Sequence, residues 1–151
     1  MTSNFKPNRR QQILEVLAQE LETSPGLRIT TASLASAVGV SEAALYRHFA
    51  SKAKMFEALI DFAEKSIFGI INKILSNETD VMVRSEKIIQ LMLGFSEKNP
   101  GITRILIGDA LLGENQSLHI RVAQFFERLE TQFRQILREA NLVQGPRVIN
   151  N

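Results

Sequence analysis

The sequence predicts an all-α protein: a three-helix helix-turn-helix domain followed by a helical second domain. Three observations carry this. The long segments between Ile13 and Leu137 repeat their apolar residues at helical spacing. No run alternates apolar and polar residues with the two-residue period of a strand. Hydroxyl, amide, Gly and Pro residues collect between the periodic segments, where helix starts and stops are needed. The expected organisation is an N-terminal arm with the helix-turn-helix over residues 1–50, a helical domain over 51–140 whose first helix (51–76) connects the two, and an irregular tail over 141–151.

The first helix is expected from a cap at Asn8 to about Glu22, with Ile13, Leu14, Leu17 and Leu21 as its buried stripe. Before it, residues 1–7 read as a polar arm. Thr23-Ser24-Pro25-Gly26 reads as a turn. Thr30 or Thr31 can cap a second helix that runs to Val38, and Gly39 supplies the positive φ of a tight turn. Ser41 can cap a third helix with Glu42 in its first turn, where negative charge is favourable. Leu34, Val38, Val40, Leu45 and Phe49 are spaced to close one small core. Ala35 permits the two helices to cross closely.

The rest of the third helix offers Ser41, Ala43, Ala44, Tyr46, Arg47 and His48, short side chains first and longer polar ones later. A recognition helix has that form, its start entering the major groove and its end reaching phosphates. The groove-facing candidates are therefore Ser41, Ala43, Ala44 and Tyr46. The phosphate-holding candidates are Thr30, Thr31, Tyr46, Arg47, His48, Lys52 and Lys54.

Ser51 can cap a connecting helix from Lys52 to about Ser76, about 35 Å long at ~1.5 Å per residue. Lys52 and Lys54 in its first turn are well placed for phosphates, and Phe62 lies off its main apolar stripe. A fifth helix from about Val81 to Lys98 is apolar nearly all round near its end, which predicts a central position. Gly94 inside it costs about 1 kcal/mol relative to alanine and is expected to leave room for close packing or for a partner. Asn99-Pro100-Gly101 ends this helix. A short helix follows over Ile102–Leu112, and a last one runs from about Gln116 to Ala140. Val122, Phe125, Phe126, Leu129, Phe133, Ile136 and Leu137 form its stripe, and Arg121, Glu127, Arg128, Glu130, Arg134 and Glu139 are expected to face away.

Apolar residues make up 44% of the 151 and charged residues 23%, the balance of a soluble globular protein. With no cysteine and two distant histidines, neither a disulfide nor a metal site is expected, and no cofactor is implied. No Gly-rich phosphate loop or nucleophile elbow argues for an enzyme. No segment has the apolar length of a membrane span. The net charge is only +2, but Lys6, Arg9 and Arg10 precede the first acidic residue, and Arg28, Arg47, Lys52 and Lys54 surround the helix-turn-helix. A local basic surface is what phosphate binding requires.

The stretch ITTASLASAVGVSEAALYRHFASKAKMFEALI, with its YRHF, resembles the DNA-binding signature of the TetR family. GFSEKNPGITRILIGDALL and FFERLETQFRQILREA are similar to second-domain segments of one specialised branch of that family, so the resemblance covers residue 9 to about 140. It implies a homodimer on palindromic double-stranded DNA, in the cytoplasm and associated with the nucleoid. DNA-bound members of that branch engage the tubulin-like division protein FtsZ and block septum formation over the chromosome. Against the family pattern, the chain is expected to lack the last two helices, which build the dimer interface. For a partner surface on the fourth and fifth helices the candidates are Phe62, Leu91, Gly94 and Lys98, the last attracting the acidic tail of FtsZ. The competing reading is a ligand-responsive TetR-type transcriptional repressor. It needs polar groups in an apolar pocket, whereas the expected interior is almost wholly Ile, Leu and Phe.

Overall fold

The structure, a computed structural model, describes residues 8–24 and 26–144. The expected basic arm at residues 1–7 and the tail from 145 lie outside the described residues. Among those described there are seven α-helices, one 3-10 turn and no strand: α1 (Arg9–Thr23), α2 (Thr31–Val38), α3 (Glu42–His48), α4 (Lys52–Asn77), α5 (Val81–Lys98), α6 (Pro100–Leu106), the 3-10 turn Asp109–Leu111 and α7 (Gln116–Gln144).

Side-chain caps set most of the starts. Asn8, Thr30, Ser41, Ser51 and Asp80 each accept a backbone N–H of the first turn of the helix they precede. The choice between Thr30 and Thr31 is settled for Thr30, which forms a reciprocal capping box with Ser33. Arg84 reaches back to the end of α4, donating through Nε to the carbonyl of Glu78 (2.6 Å) and through Nη2 to that of Leu75 (2.9 Å).

One apolar core runs through the molecule. Ile13, Leu17, Leu34 and Leu45 fill it at the α1–α3 end; Ile60, Ile67, Ile71, Ile88, Ile105 and Phe125 fill it beyond. Its continuity depends on α6. Gly101 packs directly on α1, where a Cβ would collide with the Ala18 carbonyl oxygen and lie 3.3 Å from the Glu22 nitrogen. Arg104, one turn on, donates to the carbonyl of Leu21 (2.5 Å) and pairs with Asp109 (2.9 Å).

Four expectations are corrected. The helix expected over Ile102–Leu112 is two pieces: Pro100 starts α6 at its first turn, and the chain breaks at Gly108 with φ +88°. The fifth helix is peripheral rather than central, because Ile88 is its one buried residue while Ile89 and Leu93 are exposed. The last helix runs to Gln144, past the expected end at Ala140. Arg121 and Arg128 do not face away. Arg121 bonds both Asp61 (2.9 Å) and Glu64 of α4, and Arg128 bonds Glu64 (3.0 Å) with its guanidinium 4.0 Å from the Phe68 ring centre. The aliphatic stems of these arginines pack while their heads bind carboxylates.

Burial by itself would raise the pKa of Glu64. Hydrogen bonds from Arg121 and Arg128, with their charges, outweigh it and hold the carboxyl below its usual range. A lowered folded pKa contributes stability above the unfolded value, about 4.3, and that stability is lost as pH falls through the folded value. Glu64→Gln should therefore lower the melting temperature at pH 7 and flatten its decline below about pH 4.5; an unchanged acid limb would remove Glu64 from the clamp. The helix seam gives a second expectation, of opposite sign at two glycines. Gly101→Ala should destabilise by about 1–3 kcal/mol through overpacking. Gly94→Ala, with open space around it, should stabilise by about 0.5–1 kcal/mol. Urea unfolding midpoints test both.

Candidate nucleic-acid interface

The α2–α3 turn is built from local chemistry. Gly39 takes φ +86° and its N–H reaches the carbonyl of Ala35 (2.9 Å), which also accepts from Val40 (3.0 Å). The chain then re-enters helix at Ser41, whose Oγ accepts from the Ala44 nitrogen at 3.1 Å. Thr31 Oγ1 donates to Glu42 Oε1 at 2.9 Å, joining the start of α2 to the start of α3. Leu45 and Phe49 anchor α3 inward, and the Arg10 guanidinium sits 4.8 Å from the centre of the Phe49 ring.

With Leu45 buried, the rest of α3 faces outward. Ala43, Tyr46 and Arg47, at i, i+3 and i+4, share one exposed face, and Ala44 is half-buried at its edge. His48 is exposed at the end of the helix, and Thr30 is exposed at the start of α2. Tyr46 is the one tyrosine of the chain. Ser51 Oγ accepts from the Lys54 nitrogen (3.2 Å), and the exposed Lys54 ammonium pairs with Glu57 at 3.0 Å.

Lys52 departs from the expected free position. Its ammonium is turned onto Glu114 at 2.7 Å and lies 5.9 Å from the Phe56 ring centre. Coulomb attraction to a partly shielded carboxylate holds it there. The exposed Arg28 lies 3.6 Å from the same Glu114 oxygen. Spacing within α4 carries no trace of Glu114, which lies sixty-odd residues downstream in sequence. Arg10, on Phe49, and Arg28, on Glu114, are further cations at this end of the molecule, and folding shows what each of them meets.

A second group lies between α4 and α5. Phe62 is exposed and its ring centre is 6.5 Å from that of Phe95. Leu91 is half-buried against the core, Gly94 has open space above it, and Lys98 is exposed. On the α1 side, Phe62 borders a cleft of about 480 Å³ between α1 and α4. Leu14, Leu59 and Ile102 give the cleft its apolar walls, with Arg10, Glu15, Asp61 and Lys65 among the charged residues lining it.

Truncating Arg47 on this exposed face should weaken binding to any duplex and lower the salt slope of log K by about 1, as expected for one lost phosphate contact. Filter binding over a salt series measures it; an unaltered slope would remove Arg47 from the phosphate contacts.

Comparison with known proteins places these elements in a family. Residues 13–59 match the pattern of the bacterial regulatory proteins of the tetR family, and residues 79–150 match the SlmA-like tetracyclin repressor-like C-terminal domain. Proteins named nucleoid occlusion factor SlmA are similar along nearly the whole chain. That of Alteromonas mediterranea is 64% identical, covering 93% of this chain and 72% of its own length. That of Marinomonas sp. is 60% identical over 96% and 74%. Among solved structures, a TetR-family transcriptional regulator from Bordetella parapertussis superposes with a TM-score of 0.75 at 16% identity, covering 97% of this chain and 74% of that one. The regulator PfmR of Thermus thermophilus gives 0.70 at 26% identity, over 91% and 75%. The chain is a DNA-binding regulator that belongs to the TetR family, in its SlmA branch.

Proposed function

We propose that this chain is a nucleoid occlusion factor: bound to palindromic chromosomal sites, which the family addresses as a homodimer, it engages FtsZ and blocks septum assembly over the nucleoid. One observation carries the reading. Identity of 60–64% to relatives of that name runs through the second half of the chain as well as the helix-turn-helix. The reading places the chain in the cytoplasm, on the nucleoid.

In this reading Ser41, Ala43, Ala44 and Tyr46 face the major groove, and Thr30, Arg47, His48 and Lys54 hold phosphates. Thr31 and Lys52 share that task from internal partners, Glu42 and Glu114. Two such units address half-sites about one helical turn apart, ~34–36 Å. Phe62, Leu91, Gly94 and Lys98 form the partner surface. The exposed Phe62 beside Phe95 offers an apolar anchor, and the Lys98 ammonium offers attraction for an acidic tail. The closed core carries no polar side chain among the described residues, while the α1–α4 cleft sets Glu15, Asp61 and Lys65 around apolar walls, so it is the identity to the relatives that favours this reading over a repressor released by a small ligand.

The test separates the two surfaces. Ala44→Glu sets a carboxylate against the groove and should abolish DNA binding without altering the circular dichroism spectrum. Lys98→Glu should weaken FtsZ binding about tenfold, a change of about 1.4 kcal/mol, and leave DNA binding intact. Gel shift on a palindromic duplex and co-sedimentation with FtsZ read the two. Retained DNA affinity in the first variant, or unchanged FtsZ binding in the second, would contradict the corresponding surface.

A further inference from the structure

Glu114 belongs to the turn between the 3-10 segment and α7, yet its carboxylate reaches the start of α4. One oxygen, Oε1, faces Lys52 Nζ at 2.7 Å and Arg28 Nε at 3.6 Å. The pair is shielded: the Glu114 side chain is 9% exposed and that of Lys52 17%, while Arg28 stands out at 67%. The carboxylate is held in place. The Glu114 backbone N–H donates to the carbonyl of Leu111 (3.0 Å), and the turn begins at Asp109, paired with Arg104, which is bonded to α1. A single anion from the second half of the molecule thus occupies two cations beside the helix-turn-helix.

We propose that Glu114 is an internal phosphate mimic that sets the DNA affinity of the protein. The proposal rests on the reading of Lys52 as a phosphate contact. An ammonium facing a carboxylate contributes little net charge to an approaching duplex, and the carboxylate itself repels the backbone. DNA gains the full charge of Lys52 and Arg28 only by displacing Glu114. A staple that merely fixed Lys52 in its working position would have the opposite consequence, because its loss would weaken binding.

The experiment measures affinity over a salt series, with a palindromic and an unrelated duplex, for the wild-type chain, Glu114→Gln, Glu114→Ala, Lys52→Gln and the double variant Glu114→Gln/Lys52→Gln. Melting curves establish that each is folded. Both Glu114 variants should bind either duplex about three- to tenfold more tightly at low salt, with a slope of log K on log salt steeper by about 1 per chain. The double variant should lose most of that gain. Wild-type binding with Glu114 variants that bind no more tightly would overturn the mimic and leave the DNA-binding reading standing. Loss of affinity in the Glu114 variants would do the same in favour of a positioning role. A duplex ignored by every variant would overturn both.

Discussion

The α-carbon of Gly101 and the carbonyl oxygen of Ala18 face each other with no room for a side chain between them. This contact lets α6 lie flat on α1. With α6 in place, Ile102, Ile105 and Leu106 extend the α1–α3 core into that of the later helices. Arg104 then has a carbonyl at Leu21 to bind, and the turn carrying Glu114 is brought beside Lys52. Helix α4 joins the two halves covalently and also packs Phe56, Leu59 and Ile60 into the shared core. The α1–α6 seam makes them one packed body, whose cleft between α1 and α4 opens beside Phe62.

Charge follows the same plan. Several cations serve as inter-helix fasteners, among them two that sequence spacing places on a solvated face. Arg121 and Arg128 tie α7 to α4 through Asp61 and Glu64. Arg84 caps α4 from α5 and reaches Glu139 of α7. These bonds are made at the rim of the core, so each cation keeps an aliphatic stem in apolar contact and a head at the solvent boundary. The interior is left without polar side chains among the described residues.

Much of this was legible in the sequence. Caps at Asn8, Thr30, Ser41 and Ser51 and the glycine at 39 are local signals, and the structure uses each as expected. The stripe Ile13, Leu14, Leu17, Leu21 is a period read over fifteen residues, and all four are buried. What failed is what period cannot encode. The apolar girth of α5 says that it is sticky on two sides and nothing about which side meets the core. Gly101 reads in the sequence as part of a helix break, yet it lies in the first turn of α6 and is a packing requirement against α1. The partners of Lys52 and Arg121 lie some sixty residues away in the chain, so their pairing belongs to the fold and not to any segment.

With α6 seated on α1, the helix-turn-helix and the later helices should unfold as one unit. Tyr46, on α3, is the one tyrosine, and there is no tryptophan, so its emission reports that helix alone. Urea unfolding of the whole chain, followed at once by Tyr46 fluorescence and by far-ultraviolet circular dichroism, is the direct measurement. The account predicts coincident transitions with one midpoint. A tyrosine transition complete while most of the helical signal persists would show that the two parts are independent, and would contradict it.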